Sequence, residues 1–384
     1  MLRSIPAFLM LVLLGGNGYA APTRSLDAEL DGLLKQVADL LDNDNALKGR
    51  TVSLGGIASE DRPDTNYAGE LRRLFEARLK GKLVPDGTLK MTIFYDLIES
   101  EEIAAGEASG NKMKVLVIRV LIKDDKKKEL FNKSVEVNES GDINRVLGLT
   151  VALPPNGNQA ERNREVEKTY NQNKGKPADQ VKPTFEVIDK TKIGIPGCKK
   201  FYVEILVKDT PDGVAKPIVP TANALGNAFV DIKGNQYYEV RVYNDDDYAC
   251  VTKICIDGQD AFNRFNADGV KYNGLLLEKG QSGTLKGWMH TTKPRPVEKD
   301  NVFSFVVREY GLNSPQAQKA SGEVGVITVQ FAVAWKEGEA RPAGRSIGRE
   351  TVPGPGLEQA FKIVKRHIGE FNETISIRYS PSAK

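Results

Sequence analysis

The stretch that most constrains this chain is residues 226–258, GNAFVDIKGNQYYEVRVYNDDDYACVTKICIDG. From Phe229 to Asp257, runs rich in β-branched and aromatic residues are separated by short polar corners, which predicts strand, turn, strand, turn, strand, closed at Asp257-Gly258. Successive side chains of a strand point to opposite sides. Tyr238, Val240 and Val242 therefore share one face, and Glu239, Arg241 and Tyr243 the other. By the same rule Cys250, Thr252, Ile254 and Ile256 face the core and Cys255 faces away.

Further runs repeat this texture: FYVEILV (201–207) before the turn Thr210-Pro211-Asp212-Gly213, then LLLEKGQSGTLKGW (275–288), NVFSFVVREY (301–310) and GVITVQFAVAW (325–335). Many short strands bounded by Gly, Pro and Asp predict a β-sandwich over residues 184–384. A late helix over Leu357–His367 is expected to pack on it, with Ala360, Phe361, Ile363 and Val364 on one side. Residues 375–379 form a final strand.

Residues 1–20 read as a signal peptide: Arg3 supplies the positive region, Ile5–Leu14 the apolar run, and Gly18-Tyr19-Ala20 the cleavage site. The apolar run is about half the roughly 20 residues that span a bilayer. No cysteine follows the cleavage site, which argues against a lipid anchor, and no later stretch is apolar enough to cross a membrane. The expectation is an exported chain in the periplasm, at the cell surface or outside it, with no transmembrane segment after cleavage. Losing Arg3 lowers the formal charge from +3 to +2, too near neutral for a nucleic-acid footprint. The cluster Lys123–Lys128 (KDDKKK) reads as a solvated hairpin turn.

Three cysteines, Cys198, Cys250 and Cys255, allow one disulfide. Cys250 and Cys255 on one extended strand would lie about 17 Å apart and on opposite faces, too far to bridge. A bridge would join Cys198 to one of them; three unpaired thiols are the alternative. With no CxxC and with His290 and His367 the only histidines, a zinc site is excluded.

Residues 21–152 predict an α+β domain. Ser25 is placed to cap a helix carrying Leu30, Leu33, Leu34, Val37, Leu40 and Leu41, with Asp27 and Glu29 favourably placed in its first turn. Residues 50–58 read as a short strand running into a Gly55-Gly56 loop, and a second helix runs from Thr65 or Asn66 to Leu79. Three strands follow, near 88–97, 113–122 and 129–137. Two helices on one face of a mainly antiparallel sheet result.

ALKGRTVSLGGIASEDRPDTNYAGELRRLFEARL (46–79) resembles the opening of small periplasmic α/β domains of bacterial envelope proteins. Among these are the amino-terminal domain of the TolB translocation protein and the curli-secretion and flagellar outer-membrane lipoproteins. The resemblance implies contact with other envelope proteins and no catalysis. The succession YEVRVYN, IDG, a hairpin ending GW, GVITVQFAVAW and the closing segment 344–379 resembles β-sandwich domains of uncharacterised bacterial exported proteins. It implies a shared fold and transfers no functional residue.

Between these regions residues 153–183 are nearly devoid of apolar side chains, which predicts a flexible or partly helical linker with at most a short exposed helix over 161–170. No catalytic, cofactor or metal motif stands out. Gly280-Gln281-Ser282-Gly283 has no histidine before it and reads as a hairpin turn. Asp245–Asp247 with Asp257 offer oxygen ligands without calcium-loop spacing, so a solvated loop is expected. The aromatic residues Tyr272 and Trp288, with Tyr237, Tyr243 and Trp335, are the candidates for a binding platform.

The resulting expectation is a non-enzymatic exported protein that contacts a protein partner in the cell envelope. A carbohydrate- or cell-wall-polysaccharide-binding module is the first alternative. A hydrolase with an unrecognised site is the second.

Overall fold

The computed structural model describes residues 24–44, 47–58, 75, 79, 82–84, 86–104, 107–265, 272–290, 301–307, 325–336, 338, 339, 348–354 and 362–380. Within them the protein is a sheet-rich α+β structure with three α-helices.

Helix α1 (Leu26–Asn43) buries Leu26, Leu30, Leu33, Leu34, Val37 and Leu41 as one stripe. Ser25 stands at its N-cap, but its hydroxyl caps nothing; the Leu26 amide instead donates to Asp142 Oδ2 at 2.9 Å. The helix packs on a four-stranded sheet ordered β1 (Val52–Ala58), β2 (Leu89–Ala104), β3 (Glu107–Lys123) and β4 (Glu129–Val137). β1 is parallel to β2, and the other pairs are antiparallel. Across β2 and β3, Met91 faces Ile122, Ile93 faces Val120 and Tyr95 faces Ile118, and all six join the α1 stripe in one core. Gly55-Gly56 does not end β1. The strand passes through a bulge between Leu54 and Gly56 and runs on to Ala58. Of the second helix expected up to Leu79, only Phe75 and Leu79 are described; both are buried in this core, and the rest of the segment lies outside the described residues.

The chain continues through α2 (Ser140–Leu147), β5 (Val151–Ala152) and α3 (Gln159–Asn171). It then forms β6 (Cys198–Lys208), β7 (Ala228–Asp231), β8 (Tyr237–Asn244), β9 (Cys250–Ile256), β10 (Ser282–Leu285), β11 (Gly287–His290), β12 (Asn301–Val306), β13 (Gly325–Trp335) and β14 (Lys362–Ser380). One sheet contains the order β11-β12-β8-β6, with β10 also paired to β8; the other contains β7-β14-β13-β9. Their facing side chains make a second core. Val203 and Ile205 come from β6, Val240 and Val242 from β8, Cys250 and Ile254 from β9, Val329 and Phe331 from β13, and Ile375 and Ile377 from β14. Phe201 and Phe331 stack within it at 4.6 Å.

Two expectations need correcting. Residues 362–367 are not helical: they belong to β14, where His367 is the cross-strand partner of Trp335, and 357–361 lie outside the described residues. The β-branched Ile363 and Val364 suit a strand as well as a helix, and pairing with the adjacent strand decided the outcome. The short helix expected over 161–170 forms, as α3, but it is not fully exposed and 153–183 is not a free linker. α3 opens with a reciprocal capping box between Asn158 and Glu161 and buries Arg162, Asn163, Val166 and Tyr170. Asn163 Nδ2 donates to the carbonyls of Lys114 and Asn138, and Asn163 Oδ1 accepts from the Ser140 hydroxyl, so this buried amide is bonded. Further on, Asn173 bridges Lys182 and Leu225, tying the segment to the second core's side of the chain.

The two cores are joined by a polar layer. Gln330 on β13, with Thr374, Ser376 and Arg378 on β14, alternates away from the second core yet is buried, because α2 and residues 148–153 lie on that face. Gln330 Nε2 donates to the Gly141 carbonyl at 2.8 Å, Ser376 N to Thr150 Oγ1 at 3.0 Å, and Leu153 N to the Asn372 carbonyl at 2.7 Å. β5 pairs with β14. Arg378, with no exposed surface, donates through Nη1 to the Gly148 carbonyl at 2.6 Å. Gly148 caps α2 in the left-handed region (φ 59°), and a Cβ there would sit 3.1 Å from the Arg378 guanidinium.

Removing Arg378 strands a buried carbonyl and leaves a void. Arg378→Met is expected to lower unfolding free energy by about 3 kcal/mol. Denaturant titration checks this, and a loss under about 0.5 kcal/mol, typical of a surface change, would show that this contact does not hold the junction.

Candidate functional site

The sequence-derived candidates separate once placed. Tyr272, expected as a binding aromatic, is buried in the second core; its backbone is clamped by Asn263, whose Nδ2 donates to the Tyr272 carbonyl while Oδ1 accepts the Tyr272 amide. It offers no ring face to a ligand. Trp335 is buried too and stacks on His367 with centroids 5.7 Å apart. Tyr243 is half-buried; its hydroxyl donates to Glu204 at 2.8 Å, and Lys192 Nζ lies 4.7 Å above its ring.

No disulfide joins Cys198, Cys250 or Cys255, so the expected bridge is absent. Cys250 faces the second core on β9, Cys255 lies on the opposite side of the strand, and Cys198 is half-buried where β6 begins. The alternation that separated Cys250 from Cys255 holds, and β6 begins in the opposite sheet from β9.

The acidic run forms no ion site. Asp246 is buried and accepts the Asp247 amide, Asp247 pairs with Lys279 at 2.7 Å, and Asp257 accepts from Val326 N and the Tyr379 hydroxyl. Among the described residues no three His, Cys, Asp or Glu side chains converge in a way that would hold a metal. A cleft of about 340 Å³ is lined by Tyr248, Trp335 and three ion pairs, Asp247–Lys279, Glu278–Arg366 and Glu339–Lys336. Its charges are satisfied among themselves, so nothing there calls for a charged ligand.

Trp288 marks a different kind of surface. It sits on β11, opposite Phe303 on β12, where the aromatic side of the second core reaches solvent. Phe305, fully buried, meets Trp288 edge to face at 5.3 Å. Trp288 meets Phe265 at 5.9 Å, and Phe265 meets Phe303 at 5.5 Å, both nearly perpendicular. Edge-to-face rings place the positive rim of one on the negative face of the next. The chain thus runs from core to surface, ending at Phe265 (37 % exposed) and Phe303 (48 % exposed).

Arg264 lies over both Trp288 (4.7 Å) and Phe265 (4.8 Å), its guanidinium against the ring faces. His290 Nδ1 donates to the Phe265 carbonyl at 2.7 Å, and its ring packs on Phe303 at 5.0 Å. The edge of β11 is held as well, through Met289 N donating to the Ala261 carbonyl at 2.9 Å. The turn at 261–265 is thereby pinned to the strand pair beneath it.

Only Trp288 of this cluster was legible as a candidate. The alternation in NVFSFVV puts Phe303 and Phe305 on one face but does not say that the first is exposed. Arg264 and Phe265 stand in a turn with no motif. Family models, curated proteins and solved structures yield no match to this chain.

The thiol state is directly measurable. Burial pushes the Cys198 thiol up, so little thiolate forms at neutral pH, and Cys250 and Cys255 are inaccessible. Alkylation of the native protein should be slow and confined to Cys198, whereas unfolding without reductant should release three thiols per chain. A count of one would establish a disulfide and overturn this arrangement.

Proposed function

We propose that this is a non-enzymatic exported protein of the bacterial cell envelope that acts by binding another protein. In this reading the two-sheet body is a β-sandwich, and its aromatic end, Phe265, Phe303, Trp288 and Arg264, is the contact surface. The observation that carries it is the pair of adjacent exposed phenylalanines, Phe265 and Phe303, seated on Trp288 and Arg264. Aromatic residues and arginine supply most of the energy of protein–protein contacts when they form a rigid, water-excluding centre. Here two of the rings stand on paired strands and the third is fixed by His290, so little ordering entropy is lost on binding. The resemblance of residues 46–79 to envelope-protein domains supports a partner in the envelope.

Carbohydrate binding is the second reading, favoured by the presence of Trp288 near the surface. A sugar needs an open ring face, and Arg264 covers that of Trp288. The hydrolase reading needs a deep pocket with convergent carboxylates or a paired Ser and His. His290 is engaged with Phe265 and Phe303, and Ser282 lies on β10 beside Tyr243.

The test is a pull-down from envelope extract with the full-length chain and with its Phe265→Ala/Phe303→Ala variant. A defined protein should be retained by the parent and weakened tenfold or more by the double substitution, about 1.4 kcal/mol or above. Thermal unfolding should remain one cooperative transition with a lowered midpoint, since each ring is about half buried against its neighbours. Retention of isolated polysaccharide by both forms, with no protein retained by either, would overturn the reading.

A further inference from the structure

We propose that the cleft beside Tyr248 and Trp335 is a binding site for a neutral saccharide, with Tyr248 as its open ring face and the surrounding ion pairs as its hydrogen-bonding groups. The site is separate from the aromatic cluster and does not rest on the protein-contact reading.

β9 starts beside the cleft at Cys250 and ends at Ile256, close to the turn that carries Arg264 and Phe265. β13 pairs with it antiparallel and ends at Trp335 in the cleft wall. The cleft and the aromatic cluster therefore occupy opposite ends of these strands. Loops carried by a rigid strand framework are where binding groups are commonly placed. Here Asn244, with no exposed surface, sets the walls. Its Nδ2 donates to the Tyr248 carbonyl at 2.9 Å and the Leu277 carbonyl at 3.1 Å, and its Oδ1 accepts the Asp246 amide. One buried amide thus fixes the loop 245–249 against the segment leading into Glu278 and Lys279. Ala334 N donates to the Ala249 carbonyl at 2.8 Å, which joins the same loop to the Trp335 wall. Tyr248 is held through its backbone while its side chain keeps the residue 45 % exposed, so the ring is presented without much freedom left to lose.

The chemistry of the lining excludes ligand classes in turn. Asp247, Glu278 and Glu339 oppose Lys279, Arg366 and Lys336 one to one, at 2.7, 3.3 and 3.7 Å, so the lining has no net charge. A charged ligand would draw one partner away and leave the other unmatched. An apolar ligand would cover three ion pairs and return nothing for the water they lose, which is costly. A neutral polyol does neither. A carboxylate has about four acceptor positions and an ammonium or guanidinium three to five donors, more than one ion pair uses, so hydroxyl groups add to the pairs without breaking them. The apolar face of a sugar ring finds its counterpart in the Tyr248 ring, an apolar body with a polar tip. At about 340 Å³ the cleft stands near the lower end of the ~300–1,000 Å³ range of small-molecule sites, which suits a small ligand or the end of a longer chain.

Calorimetric titration of the full-length chain with cellotriose, maltotriose and tri-N-acetylchitotriose, each to about 10 mM, tests the assignment. At least one of these neutral trimers should bind with a dissociation constant of about 1 mM or tighter. Tyr248→Ala should weaken that binding about tenfold or more, whereas Tyr248→Phe, which keeps the ring, should stay within about threefold of the parent. The loop is anchored through the Tyr248 carbonyl, so neither substitution removes its anchor. Trigalacturonate, with a carboxylate on every ring, should bind more weakly than the neutral trimers. Absence of binding by all three, undiminished binding by Tyr248→Ala, or tighter binding of trigalacturonate overturns the proposal. A protein partner captured by a chain that binds none of the trimers would remove this site and leave the protein-contact reading standing.

Discussion

A buried polar face on one sheet holds this structure together. The side chains of β13 and β14 that alternate away from the second core include Gln330, Thr374, Ser376 and Arg378. A face of that chemistry would ordinarily be solvated. Here α2 and residues 148–153 cover it, and Gln330, Arg378 and Ser376 donate to the backbone carbonyls of Gly141, Gly148 and Leu149, while Leu153 N donates to the Asn372 carbonyl of β14. Such contacts add little net stability each, but leaving any one unmade is costly, so they select one arrangement sharply.

The remaining architecture follows from that arrangement. α1 depends on it, since Asp142 of α2 caps the helix where Ser25 does not. α3 depends on it, since Arg162 meets Glu370 on β14 and Asn163 bonds Ser140 at the start of α2. The aromatic end of the second core lies outside this network and is held by its own contacts, the Asn263 clamp and the His290–Phe265 bond. The aromatic cluster and the junction are thus built from different materials, rings in one case and hydrogen-bonded polar groups in the other.

Much of the fold was legible because alternation and helical spacing are local properties. The faces assigned to Tyr238, Val240 and Val242, and to Cys250 and Ile254, hold because a strand with one buried side cannot shift register without exposing its whole apolar set. The α1 stripe holds for the equivalent helical reason. Residues 153–183 misled because apolar content is a poor guide when burial is achieved by hydrogen bonding: α3 seats Arg162 and Asn163, residue types that ordinarily face water. Residues 362–367 misled because a β-branched run supports either period, and pairing with residues 348–354 on one side and with Trp335 on the other fixed it as strand.

Of the aromatic site, the sequence alone offered Trp288 as a candidate, and strand alternation puts Phe303 and Phe305 on one face. Tertiary structure decided the rest. It buried Tyr272, left Phe303 at the surface, and brought Arg264 and Phe265 across from a turn to complete the cluster. The same division holds for the cysteines: strand alternation placed Cys250 and Cys255 apart, and the pairing of strands into two sheets left Cys198 unbridged. The physical reason is range. Periodicity is set by backbone geometry between neighbours, whereas exposure, ring contacts and charge balance depend on which distant segments arrive at the same place, and no single stretch of residues encodes that.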